Sequence, residues 1–250
     1  MYYTRTAGVY SPIGFDNNLL REKMIKAIFF DAAGILYTRG GHTETYALDL
    51  LDKMGFSNDL SPDQLNKQLA LRSQANKGVI SHETYWDNFL SMRNVLDPQQ
   101  RKNFTLQITN YSNDVQPVPG AREALAKMKE LGLLLGIITD TMYPVEWKMR
   151  RLEKAGVAEF IDVVACSTEL GVHKPDPAVY SYALQQAHLI SGESAFVGHL
   201  GIEVQGAKTA GMVTIAINHD EDSQADYYCN SLMDILKLPI INNTNLESKT

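Results

Sequence analysis

Apolar residues along the chain fall into two patterns, short unbroken runs and stretches where they recur every three or four positions. The first run, Ala27-Ile28-Phe29-Phe30, ends on Asp31-Ala32-Ala33-Gly34 and predicts a buried strand whose tip carries a carboxylate followed by residues without bulk. Further runs at Leu133 to Ile138, Ile161 to Ala165, Ala195 to Val197 and Val213 to Ile217 predict four more strands. Helical periodicity fills the gaps. Pro119-Gly120 opens a helix holding Leu125, Met128 and Leu131, and another runs from about Val145 to Gly156. Five strand and helix units in alternation predict an α/β fold, a doubly wound parallel sheet with helices on both faces.

The alternation is interrupted once. After the Arg39-Gly40-Gly41 turn, about 70 residues read as helix with no strand among them. Ala47, Leu50, Leu51 and Met54 share one helical face, which Gly55 ends. Ser61-Pro62-Asp63-Gln64 forms a capping box leading into Leu65 and Leu69, and Ser81 opens a helix through Tyr85, Trp86 and Phe89. Asp97-Pro98-Gln99-Gln100 opens a fourth, with Phe104, Ile108 and Tyr111 one turn apart. The predicted organisation is therefore an extension over 1–25, an α/β core over 26–38 and 115–241, a helical-bundle insert over 39–114, and a tail over 242–250.

Composition narrows the function. With 250 residues, 44% apolar and 21% charged, the chain can bury a large core. A net charge of -6 offers no basic footprint, so nucleic acid and acidic membrane surfaces are not expected partners. Cys166 and Cys229 have no metal-cluster spacing and read as buried thiols suited to a reducing compartment. No signal-peptide pattern or membrane-length apolar run is found, so the expected location is the cytoplasm and the expected partner a small anionic metabolite. The chain is expected to act as a monomer or a homodimer.

Parallel α/β sheets bind ligands beyond the carboxyl ends of their strands. Asp31, Thr139, Lys174 and the pair His199 and Glu203 each follow a different strand, so the fold brings them to one edge. A carboxylate nucleophile needs a cation to hold an anionic group, and Lys174 is placed to be that cation; the Thr139 hydroxyl can donate to a substrate oxygen. The small residues Ala32 and Ala33 let backbone N–H groups approach an anion. Taken one at a time, Asp31 and Thr139 could instead be helix caps, and Lys174 a solvated charge before the Pro175-Asp176-Pro177 helix start. Their joint placement favours chemistry.

Four spaced motifs carry a family resemblance: Ile28 to Gly34, Gly136-Ile137-Ile138-Thr139-Asp140, Gly171-Val172-His173-Lys174-Pro175-Asp176-Pro177, and Val197-Gly198-His199 through Met212. Over about residues 26 to 240 the chain resembles the haloacid dehalogenase superfamily, in the branch whose helical cap follows the first strand. The resemblance implies a HAD-like Rossmannoid core, Asp31 as a nucleophile forming a covalent aspartyl intermediate, and Thr139 and Lys174 holding the transferred group. It also implies that the insert closes over the site.

The departures from that pattern bear on activity. Phosphatases of the family carry a second aspartate as general acid and base, two positions after the nucleophile, where this chain has Ala33. Such groups contribute about 10²–10⁴-fold. The aspartate that helps hold the family's magnesium is replaced by His199, whose imidazole suits zinc, nickel or copper rather than magnesium. If a metal binds, Asp31 and Glu203 are left to hold it; no cofactor is otherwise assigned. Metal-free 2-haloacid dehalogenases also lack the second aspartate, and Asp31, Lys174, Thr139, Tyr180 and Glu203 match their set residue by residue. Leu200, however, stands where they have asparagine, and Ala33 where they have an aromatic.

His199 is either a base for the hydrolytic water, oriented by Glu203 one turn away, or a backbone-bonded histidine at a helix start. Asp140 adds a negative charge where a phosphate would lie. Arg39, His42, Arg72 and Lys77 are the insert's candidate substrate contacts, while Trp86 and Trp147 read as core. The expected function is thus a hydrolase using Asp31 on a small anionic substrate with weak or atypical metal dependence. The alternatives are a metal-free dehalogenase-like enzyme and a catalytically silent binding protein.

Overall fold

A computed structural model describes residues 24–221 and 223–241. The expected extension over 1–25, apart from its last two residues, and the tail over 242–250 lie outside the described residues. In chain order the strands are β1 (Ala27–Phe30), β2 (Tyr37–Arg39), β3 (Val115–Pro117), β4 (Leu134–Thr139), β5 (Val163–Cys166), β6 (Ser194–Gly198), β7 (Val213–Ile217) and β8 (Tyr227–Cys229). The helices are α1 (Thr43–Lys53), α2 (Pro62–Asn76), α3 (His82–Ser91), α4 (Pro98–Asn113), α5 (Ala121–Glu130), α6 (Val145–Lys154), α7 (Ser167–Leu170), α8 (Pro177–Gln186), α9 (Gly201–Thr209) and α10 (Leu232–Ile235).

Six strands pair in parallel in the order β5-β4-β1-β6-β7-β8. The chain builds outward from β1 first on one side and then on the other, so the strand order reverses at β1 and the ligand crevice of such sheets falls at its carboxyl end. Register sets the site: Phe30 lies opposite Ile137 on β4 and Val197 on β6, so Asp31, Thr139 and His199 leave the sheet at neighbouring tips. Every residue of β1 is buried. Ile28 and Phe30 pack on the face covered by α5, α6 and α10, and Phe29 packs on the face covered by α8 and α9. Gly136 makes room for Phe29, since a Cβ there would meet its ring at 2.7 Å.

The sheet has one strand more than the apolar runs predict. β8 is short, carries a solvent-facing tyrosine, and sits at the sheet edge, so half of its pattern is polar. β2 and β3 form a separate antiparallel ribbon, pairing Tyr37 with Pro117 and Arg39 with Val115, at the two ends of the helical insert. Three-residue strands leave too little alternation to detect.

Helices α1 to α4 form the insert around Trp86, Tyr85, Phe89, Phe104 and Ile108. The predicted starts are observed: Ser61 and Gln64 complete the capping box, Ser81 accepts from the Thr84 amide, and Asp97 accepts from those of Gln99 and Gln100. Leu65 and Leu69 face solvent and Gln68 is buried, its Oε1 accepting from Arg93 Nη2 at 2.8 Å. The aromatic side chains of α3 already fill the centre of the insert, so α2 packs through small and polar groups. Among the described residues no helix is long and apolar enough to cross a membrane, and both cysteines are buried and unpaired.

Candidate active site

Lys174 stands at the centre of the strand tips. Its Nζ donates to Asp31 Oδ1 at 2.6 Å and to Glu203 Oε2 at 2.9 Å, and its backbone N–H donates to Asp140 Oδ1 at 3.2 Å. The residues that follow β1 and β4 and the first turn of α9 therefore meet at one lysine in the loop before α8, two of them at its ammonium and Asp140 at its backbone. The carboxylates of Asp31 and Glu203 and the lysine are almost fully removed from water. Burial alone would drive these charges to neutral forms.

The pairing decides which of them stay ionised. Burial pushes the Asp31 carboxyl up, but Lys174, with Lys148 and His199 adding to it, more than reverses this and holds Asp31 below the usual carboxylate range. Burial also lowers Lys174, and the charges of Asp31, Glu203 and Asp140 overcome it, so the ammonium is held above the usual lysine range. Glu203 takes the opposite course: burial, with Asp31 beside it, pushes its carboxyl up to about 7 against the pull of Lys174. Burial raises Asp140 too. One carboxylate is thus held ionised and the other poised near neutrality, an arrangement able to divide a nucleophile from an acid or base.

Two buried polar atoms at the site have no hydrogen-bond partner: Thr139 Oγ1 and His199 Nδ1. Buried polar groups are seldom left unpaired, and a substrate oxygen or a water would satisfy both. His199 Nδ1 lies 3.7 Å from Asp31 Oδ2, too far for a hydrogen bond. Its ring rests on Gly34, where an added Cβ would stand 3.3 Å from Cε1 and where φ is +84°. Tyr180 does not reach the carboxylates; its hydroxyl donates to the backbone carbonyl of Glu203 at 2.7 Å, fixing the start of α9 beneath the site. Ala32 is buried and turns the chain, its carbonyl accepting from Leu36 and Tyr37, while Ala33 is half-buried and offers no proton donor.

The donor set does not suit magnesium. Among the described residues no three His, Cys, Asp or Glu side chains are grouped to hold a metal ion, and Lys174 already bridges Asp31 and Glu203. An imidazole faces Asp31 where a hard cation needs oxygen.

A cavity of about 360 Å³ opens between the insert and the core. Asp140, which also binds the Lys174 amide, lies on its wall; Asp31 does not, so the cavity lies beside the carboxylate rather than over it. Arg39, His42 and Arg72 line the cavity, and Lys77 does not. The core wall includes Lys148 and Arg151 of α6, which sequence patterning misses because six charged residues among ten make that helix look like a solvated surface. The signal lay in the spacing: Lys148, Arg151 and Leu152 share the buried face. Trp86 is fully buried, whereas Trp147 is half-buried and stacks on Tyr143.

A family model described as haloacid dehalogenase-like hydrolase matches residues 30–217. A glyceraldehyde 3-phosphate phosphatase of Methanocaldococcus jannaschii is 28% identical over 231 residues, covering 86% of this chain and 97% of the relative. A pyrimidine 5'-nucleotidase of Escherichia coli is 27% identical, covering 80% of this chain and 88% of the relative. Among solved structures, the L-2-haloacid dehalogenase of Xanthobacter autotrophicus superposes with a TM-score of 0.60 at 19% identity, covering 86% of this chain and 98% of that one. That likeness is one of fold.

Proposed function

The chain belongs to the haloacid dehalogenase-like hydrolases, and on that premise we propose that it hydrolyses a small anionic substrate through a covalent intermediate on Asp31. The observation that carries this reading is the Asp31, Lys174 and Glu203 constellation beside an unpartnered Thr139 hydroxyl. Asp31 is kept ionised, with Oδ1 held by Lys174, which leaves Oδ2 to attack the electrophilic atom of the substrate as the leaving group departs with the bonding pair. Lys174 and Thr139 hold the substrate's anionic oxygens. Water then attacks the intermediate and gives its proton to Glu203 or His199, and Asp31 is released. Tyr180 positions Glu203 for that step through its backbone. The helical insert acts as the lid of the site.

The curated relatives named above act on phosphate esters, so a phosphate monoester is the first substrate class to test. Metal dependence should be weak. Asp31→Asn should abolish turnover in a screen of phosphate esters and 2-haloacids, while a chelator changes the rate by less than about tenfold. Retention of turnover by Asp31→Asn would sink the reading.

A second reading, a catalytically silent binding protein, is favoured by one observation: Ala33 leaves no proton donor two residues after Asp31. Restoring both family acids, Ala33→Asp with His199→Asp, distinguishes the two. If the site is a phosphatase limited by those losses, phosphate ester hydrolysis in magnesium should rise by about 10²-fold or more; absence of hydrolysis before and after the change would favour binding alone.

A further inference from the structure

Beside the Asp31 site lies a second cluster with the opposite charge balance. Lys148 and Arg151, each 3% exposed, and the half-buried Arg39 converge on the phenol of Tyr37, itself fully buried. Their hydrogen-bond partners are neutral. Lys148 Nζ donates to Tyr37 Oη at 3.0 Å, Arg151 to Asn113 Oδ1 at 3.0 Å and Ser112 Oγ at 2.9 Å, and Arg39 to Thr43 Oγ1 at 3.3 Å. None of the three forms an ion pair among the described residues.

The carboxylates that line the same cavity are already engaged. Glu44 pairs with Arg72 at 2.9 Å and accepts from the Tyr85 hydroxyl, and Asp140 accepts from the Lys174 amide. Three cations without a counterion, two of them buried, are costly to fold unless an anion joins them. The field is strong enough to act on Tyr37: burial pushes its phenol up, yet Lys148, Arg151 and Arg39 bring it below the usual tyrosine range. All three cations face the cavity of about 360 Å³, and Asp140 links that cavity to the Asp31 site.

We propose that this cavity receives a second anionic group of the substrate, held by Lys148, Arg151 and Arg39, while the reacting end lies at Asp31. The inference rests on the reading of Asp31 as the reacting carboxylate and narrows the substrate to small molecules bearing two anionic groups, the second a carboxylate or a phosphate. An ester with a single anionic group leaves the three cations unpaired.

Binding to the full chain, measured by calorimetry in an anion-poor buffer, tests this without turnover. The probes are ethyl phosphate, phosphoglycolate and ethanediol bisphosphate, which differ in the group opposite the ester. At least one of the doubly anionic probes should bind about tenfold or more tightly than ethyl phosphate, the factor that one charge-assisted hydrogen bond supplies. Whichever probe gains more names the second group. Lys148→Gln should cut the ratio to near one, and Arg39→Gln, on the open side of the cavity, should lower it a few-fold in a chain that keeps its buried packing. Equal binding of all three probes, or a ratio unchanged in both variants, overturns the proposal. Repeating the titrations with Asp31→Asn separates the two readings: a preference that persists there supports the cavity, even if a turnover assay shows that Asp31 is not the nucleophile.

Discussion

At the first cluster the Lys174 ammonium is held between two carboxylates, Asp31 and Glu203, with a third, Asp140, on the lysine's backbone amide; at the second, three cations act on one phenol, Tyr37. Both are largely buried, and neither is balanced. The negative cluster relieves itself by keeping a proton, which is why Glu203 is raised to about 7. The positive one is relieved less readily, because arginine does not give up its proton in proteins, which leaves Lys148 to lose one or Tyr37 to ionise. An excess of buried acid thus makes a proton donor or acceptor, whereas an excess of buried base favours an anion. On the proposed reading the two imbalances divide the work, chemistry at one cluster and recognition at the other.

The contrast is broken most severely at its two lysines. Lys174→Met strips two buried acids, Asp31 and Glu203, of their counterion and should cost about 3–5 kcal/mol of stability at neutral pH, with much of the loss recovered in acid as the carboxyls protonate. Lys148→Met removes a cation from a cluster that has too many, and should cost about 1 kcal/mol or less, the value of its hydrogen bond to Tyr37. Urea denaturation of both variants at pH 5 and pH 8 measures the difference; equal costs would mean that charge balance does not govern these positions.

These two lysines also mark how far the sequence could be read. Asp31, Thr139, Lys174, His199 and Glu203 were legible because each ends a strand or lies in the segment that leads from one strand tip into the next helix, and parallel topology carries strand tips to a common edge. Lys148 and Arg151 were not, because they lie inside a helix, where a basic residue in the sequence looks the same whether its face meets water or a second layer of protein. Leu65 and Leu69 show the reverse case: they are apolar residues one turn apart on α2 that face solvent, because the rings of α3 fill the insert first. The sheet was legible through β1, β4, β5, β6 and β7, whose buried runs are continuous, and not through β8, an edge strand, or the three-residue strands β2 and β3.

A smaller effect follows from the Glu203 proton. Its carboxyl titrates near 4.5 when unfolded and at about 7 when folded, so between those values the native state binds more protons than the unfolded chain and stability falls as pH rises. The fall should be on the order of 2–3 kcal/mol across that window, and Glu203→Gln should flatten it. Turnover should move the other way, rising through pH 7 as Glu203 becomes a base, and Glu203→Gln should lose that limb. A Glu203→Gln chain with an unaltered rate profile would pass the role of base to His199.

Tyr37→Phe probes the positive cluster with the least disturbance, since it removes one oxygen and leaves the ring in the core. Lys148 loses its acceptor, for a cost of about 1 kcal/mol. The pH dependence carries more information than the cost. Burial raises the Tyr37 phenol and the three cations lower it further, so its folded pKa lies below the unfolded value of 10. Between the folded and unfolded values the unfolded chain binds more protons, and the wild type gains stability as pH rises. Its advantage over Tyr37→Phe should therefore widen as pH approaches 10, accompanied by tyrosinate absorbance from the folded protein that Tyr37→Phe lacks. Saturation with a doubly anionic probe should narrow that advantage, because the bound anion takes up the positive field that otherwise favours the phenolate. If the widening persists unchanged with the probe bound, the anion sits elsewhere and the two clusters do not share one substrate.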